Sequence, residues 1–129
     1  MYATSPAESV HALDPDALAQ PNITLWSARD VDGNLLGIGA LKEHNASLGE
    51  VKSMRTSQHA RGQGVAQAVL MQIITECSAR NISALKLETG VEDYFIAARA
   101  LYTKLGFVPC GPFAHYTDDP NSAYFALSI

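Results

Sequence analysis

The stretch Ala60–Leu70, ARGQGVAQAVL, sets Arg61 and two glycines, Gly62 and Gly64, directly ahead of an apolar helical pattern. The first N–H groups of a helix have no partner within the helix and carry the positive end of its dipole. Glycine has no Cβ, so an anion can approach such N–H groups closely, and Arg61 adds a full positive charge. These residues in this order can hold a phosphate or pyrophosphate. They can also form a plain surface turn, and spacing alone leaves both readings open. A P-loop is excluded: it needs a longer stretch between its glycines, followed by Lys-Ser or Lys-Thr. A dinucleotide fingerprint is matched at Gly62 and Gly64, with Glu88 as an acid at the end of the next strand. Its third glycine is Gln67 here, and the preceding strand carries Glu50, Lys52 and Arg55, unlike a strand buried on both faces.

The other reactive side chains give weaker signals. His11, His44, His59 and His115 show neither triad nor metal spacing, and Cys77 and Cys110 form no CxxC pair, so no metal site is predicted. Cys77 falls on an apolar helical stripe and reads as a buried thiol. Nothing near Cys110 in sequence would lower its pKa to make it a nucleophile. The chain has 129 residues, 47% hydrophobic and 17% charged, which predicts one globular domain over residues 1–129. A net charge of −4, with nine Lys and Arg spread along the chain, argues against a nucleic-acid partner. The N-terminal stretch has no basic start followed by an apolar run, and no segment reaches the ~20 apolar residues of a spanning helix. These features predict a protein of the reducing cytoplasm with no membrane partner.

The elements that must position these residues follow from periodicity. Ser5-Pro6 ahead of AESVHAL resembles a helix start. ITLWSARD (Ile23–Asp30) and NLLGIGALKE (Asn34–Glu43) read as strands joined by a two-residue turn at Asp32-Gly33. LGEVKSMRT (Leu48–Thr56) is a third strand. Gly64–Arg80 is helical, with Ala66, Val69, Leu70, Ile73, Ile74 and Cys77 as its apolar stripe and Asn81 as its stop. ISALKLET (Ile82–Thr89) is a strand. Glu92–Gly106 is a second helix, with Tyr94, Ala98, Leu101 and Leu105 on one stripe and Gly106 as cap. FVPC begins a further strand and Ser122–Ile129 is the last. Hairpins followed by a β-α-β unit predict an α/β (mixed α+β) fold, a mixed sheet with helices on both faces.

Two of these stretches resemble one known family. RGQGVA is similar to the Arg/Gln-x-x-Gly-x-Gly/Ala loop of the GNAT N-acetyltransferase superfamily, matched by Arg61, Gly64 and Ala66. ARALYTKLGF (Ala98–Phe107) is similar to its Ala-x-x-Leu-Tyr-x-x-x-Gly-Phe motif. With GEVKSMRT, LETG and DPNS, the chain resembles the YsnE-type branch from about Ile23 to its C-terminus. The resemblance implies a mostly antiparallel sheet flanked by helices and transfer of an acetyl group from acetyl-CoA to a primary amine. It implies that Met54, Arg55 and Thr56 lie along the pantetheine arm. Arg61, Gly62, Gln63, Gly64, Val65, Ala66 and Gln67 would hold the pyrophosphate, mainly through main-chain N–H groups. Strands Leu48–Thr56 and Ile82–Thr89 would splay around the thioester, and Tyr102 would protonate the departing thiolate. Glu50 and Glu88, on those strands, become candidate bases; each could also be a solvated strand residue.

The chain departs from the family pattern twice. Phe95 stands where many members have an asparagine, and fewer than two dozen residues precede the first hairpin strand. Both features keep a non-catalytic acyl-CoA-binding domain as the alternative. The family's extra first strand lacks an evident counterpart here, which predicts Ile23–Asp30 as an exposed edge and pairing of two copies as a homodimer.

Overall fold

The computed structural model describes residues 20–114 and 116–129. The helix expected after Ser5 lies outside them, as do His11 and His115. The described chain runs β1 (Ile23–Arg29), β2 (Leu35–Glu43), β3 (Leu48–Thr56), α1 (Val65–Ala79), β4 (Ala84–Gly90), α2 (Ile96–Lys104), β5 (Val108–Cys110) and β6 (Ser122–Ser128). The strands form one six-stranded sheet in the order β1-β2-β3-β4-β6-β5. Every pairing is antiparallel except β3 with β4, whose parallel alignment requires the α1 crossover. The mixed, mostly antiparallel sheet flanked by helices is therefore as expected.

The two described helices pack on the same face of the sheet, which differs from the expectation of helices on both faces. A Cβ on Gly39 would strike Val69 and Ile73 of α1, and one on Gly49 would meet Leu41 and Leu85, which marks that face along β2, β3 and β4. Leu87 pairs with Phe125, and Phe125 lies 6.2 Å from the Tyr102 ring of α2. Val69, Leu70, Ile73 and Cys77 thus share one core with Tyr102 and Phe107. The opposite face carries Glu50, whose carboxylate bonds Tyr116 in the segment between β5 and β6.

Local chemistry sets the element ends. Asn81 takes a left-handed φ of 61°, and Ile82 N–H and Asn81 N–H donate to the carbonyls of Cys77 and Ser78 at 2.9 and 3.2 Å, closing α1 as its stop signal predicted. Gly106, at φ 101°, closes α2 in the same way. The start of α2 differs from expectation. Asp93–Phe95 forms a 3₁₀ turn, which leaves Tyr94 49% exposed rather than on the buried stripe; Tyr102 takes the deep position. The β1–β2 connection also differs. Gly33 N–H donates to Asp30 at 3.0 Å, and Gly33, unlike Asp32, has positive φ. The loop is therefore three residues with a register slip at Ala28/Arg29, not a two-residue turn. The Asp30 carboxylate favours it by accepting the N–H groups of Asp32 and Asn34, each at 2.9 Å.

Candidate functional site

β3 and β4 pair only at Leu48↔Ala84, Gly49↔Leu85 and Glu50↔Lys86. Beyond Glu50 the strands part, and a cleft of roughly 950 Å³ opens between them. A bulge in β3 marks the divergence. Between the pairs Ala40↔Lys52 and Ile38↔Arg55, two residues of β3 stand opposite one of β2, and Ser53 sits at φ 57°. A non-glycine residue held there is strained, a condition that concentrates at binding and catalytic sites. The extra residue also reverses the side-chain alternation. Val51 and Met54 both turn to the helix side, with Met54 packed against the core, while Glu50 and Lys52 look to the other face.

The glycine loop stands at the open end of this cleft. Gly62 and Gly64 have φ of 79° and 80°, and among the described residues a Cβ at either would meet nothing within 4 Å. The backbone is therefore accessible as well as left-handed. Gly64 caps α1 with no side-chain hydrogen bond and no acid in the first turn. Among the described residues no side-chain cap hydrogen bond engages the start of this fifteen-residue helix. Arg61 extends across the mouth, its guanidinium 5.9 Å from the Tyr94 ring centre and 3.4 Å from the Tyr94 hydroxyl. Val65, Ala66 and Gln67 line the cleft, and Gln67 accepts from Lys104 of α2 at 3.1 Å, tying the two helices together. Gln63 turns back to the His59 carbonyl at 3.1 Å.

Phe95 has a structural task. Its ring occupies the space a Cβ on Gly90 would need, so the two residues form one close contact at the end of β4. Arg99 pins that strand end to α2 by donating to the carbonyls of Gly90 and Glu92 at 2.6 and 3.1 Å. Met54, Arg55 and Thr56 of β3 line the cleft, as does Tyr102 of α2. Tyr102 is only 7% exposed, and burial pushes its phenol up to about 12, against a small opposing pull from Arg55. It is a phenol, not a phenolate, throughout the neutral range.

Glu50 is not a solvated strand residue. It is 2% exposed, with His44 Nε2 2.8 Å from one carboxylate oxygen and the Tyr116 hydroxyl 2.6 Å from the other. Lys52 Nζ stands 3.5 Å from that second oxygen and donates to the Tyr116 hydroxyl at 3.0 Å. Glu88 lines the cleft with one oxygen bonded by Ser122 Oγ at 2.5 Å. The sequence reading missed His44 and Tyr116. Glu50 and Tyr116 are 66 positions apart, and no local pattern joins them. The thiols behave as expected: Cys77 is buried, and burial raises both Cys77, to about 11, and Cys110. Among the described residues no group of His, Cys, Asp or Glu could hold a metal ion, and no helix is long and apolar enough to cross a membrane.

The sequence and the fold that build this cleft are similar to those of known proteins. The model of the acetyltransferase (GNAT) family matches residues 2–107. The chain belongs to the GNAT acetyltransferases. It is 49% identical over 129 residues to the uncharacterized N-acetyltransferase YsnE of Bacillus subtilis, covering all of this chain and 85% of that one. It is 42% identical over 120 residues to an IAA acetyltransferase of Azospirillum brasilense, covering 92% and 76%. A solved Klebsiella pneumoniae chain assigned as an acyl-CoA N-acyltransferase superposes with a TM-score of 0.82 at 29% identity, covering 94% of this chain and 80% of that one. The chain is thus an acyl-CoA-dependent acetyltransferase.

Proposed function

We propose that the enzyme moves the acetyl group of acetyl-CoA to a primary amine of a small molecule or peptide, by direct attack with both substrates bound. Acetyl-CoA supplies an activated thioester carbonyl. The observation that carries the reading is the cleft that opens where β3 leaves β4, with an accessible glycine-led helix start at its mouth. Residues Arg61–Gln67 would hold the pyrophosphate, with the N–H groups of the first α1 turn as the main donors. The β4-facing edge of β3 from Met54 to Thr56 would take the pantetheine amides. Holding two reactants in one cleft supplies much of an acyl-transfer rate without a covalent enzyme intermediate. Tyr102 keeps a proton ready for the departing sulfur. Glu50, at the apex of the splay, is favoured over Glu88 as acceptor of the amine proton, because the hydroxyl of Tyr116, a residue that lines the cleft, donates straight to its carboxylate.

The acidic net charge supports a small acceptor rather than a nucleic acid, and the free thiols Cys77 and Cys110 support a reducing cytoplasm. β1 is an edge of the described sheet, with Leu25 46% exposed, which supports pairing of two copies; light scattering would then give a dimer mass. A thermal-shift screen with acetyl-CoA, CoA, NADH and ATP tests the cofactor. At 100 times its dissociation constant a ligand adds about 2.7 kcal/mol of stability. A shift with NADH and none with either CoA species would end this reading. Thiol release with a panel of primary amines, and with IAA assayed beside them because the name of the Azospirillum relative carries it, separates an enzyme from a binder.

A further inference from the structure

The polar cluster at the apex of the cleft has more order than a simple base requires. Tyr116 lines the cleft, and its hydroxyl receives a hydrogen bond from Lys52 Nζ at 3.0 Å and donates one to Glu50 at 2.6 Å. Its ring is fixed among Phe113 and Tyr124, at 5.1 and 5.7 Å between centroids. Glu50 is held from behind by His44 Nε2 at 2.8 Å. The groups that face this pair come from four places: His44 from the β2–β3 loop, Lys52 on β3, Lys86 and Glu88 on β4, and Tyr124 on β6.

We propose that Tyr116 relays the acceptor's proton to Glu50, and that His44 positions Glu50 to receive it. This rests on the ternary acetyl-transfer reading above and deepens it. A phenol oxygen can accept while its own proton is donated. As the ammonium of the acceptor gives a proton to Tyr116 Oη, the phenol proton passes to Glu50. The products are a neutral amine, a restored phenol and a carboxylic acid; no bond to carbon changes and no electron is lost. Lys52 helps twice. Its charge steadies the partial negative charge on Oη while the proton is in flight, and it disfavours the charged form of an amine nearby. Burial, and then the bond to Glu50, keep the Tyr116 phenol raised well above the usual tyrosine range, so it passes a proton through rather than resting as phenolate.

The test uses acetyl-CoA with a panel of primary amines: the common L-amino acids, putrescine and tyramine. Single-turnover thiol release is measured for the wild type, Tyr116→Phe, Glu50→Gln and the double variant, in mixtures of light and heavy water. Tyr116→Phe keeps the ring and its packing, and Glu50→Gln keeps the shape of the side chain. The relay predicts a fall of about 10²-fold in each single variant. It predicts no further fall in the double, because both act in one chain. Acetyl-CoA affinity should hold within a few-fold. The isotope curve should be bowed in the wild type, from more than one proton in flight, and straight in Tyr116→Phe. If the phenylalanine variant misfolds, Glu50→Gln carries the test through its own isotope curve, where the bow must vanish. A wild-type rate in Tyr116→Phe, additive losses, or a straight curve in the wild type would overturn the relay. Failure of the wild type to release thiol with any amine would instead strike the parent reading, and the relay with it.

Discussion

Tyr102 carries the assignment of the leaving-group acid. The phenol is buried among Phe107 and Phe125, and burial holds it protonated. Replacing it by phenylalanine removes one hydroxyl and little packing. Acetyl-CoA affinity should hold within a few-fold, while kcat and kcat/KM fall together by roughly 10²-fold, the scale of general acid catalysis. Single-turnover kinetics is the right measure, since slow product release would hide the loss. A wild-type single-turnover rate would remove Tyr102 from the chemistry. The place of Tyr102 on the cleft was legible in the sequence because it sits in a motif with a fixed distance to a capping glycine. Tyr116 was not: its partners lie on β3 and in the β2–β3 loop, and only folding brings them together.

At the scale of elements, α1 lies so close to the sheet that a side chain at position 39 of β2 is excluded beneath it. A Cβ at Gly39 would fall 2.5 Å from Met54 Sδ and 2.6 Å from a Val69 methyl. Gly39→Ala should therefore cost about 1–3 kcal/mol through overpacking. Urea unfolding at equilibrium reads this directly, and an unchanged midpoint would mean that the helix sits farther from β2. Strands, helices and both helix stops were legible, because each rests on local chemistry: alternation, a stripe at spacings of three and four, and Asn81 or Gly106 in the left-handed region. Four features were not. The 3₁₀ turn at Asp93–Phe95 delays the start of α2 to Ile96, where the apolar stripe had run back to Tyr94. The bulge at Ser53 is a mismatch between β3 and β2, so it exists only in the pairing. The three-residue loop at Val31–Gly33 depends on Asp30 capturing N–H groups, which outweighs the Asp-Gly signal. The packing of α1 and α2 on one face is a matter of topology, on which periodicity is silent.

For the whole molecule, two buried acids set an alkaline limit. Burial pushes Cys77 from 9.0 up to about 11 and Tyr102 from 10.0 up to about 12. The unfolded chain releases these protons first. Their contribution is thus intact below pH 9 and is lost as pH rises through 11 and 12. Tyr102 alone should remove on the order of 2 kcal/mol over that range. Urea midpoints at neutral pH and at about pH 11 should differ. Tyr102→Phe should be less sensitive than the wild type, and equal sensitivity would contradict the role of burial. The central claim is that the chain grips acetyl-CoA by the backbone of the glycine loop. Calorimetric titration of acetyl-CoA into the wild type, Arg61→Ala and Gly64→Val tests it most directly. At φ 80° a β-branched residue is strained and its side chain fills the open approach to the first α1 N–H groups. The account predicts a folded Gly64→Val with no detectable binding and a smaller loss in Arg61→Ala, whose main-chain donors remain; wild-type affinity in Gly64→Val would contradict it.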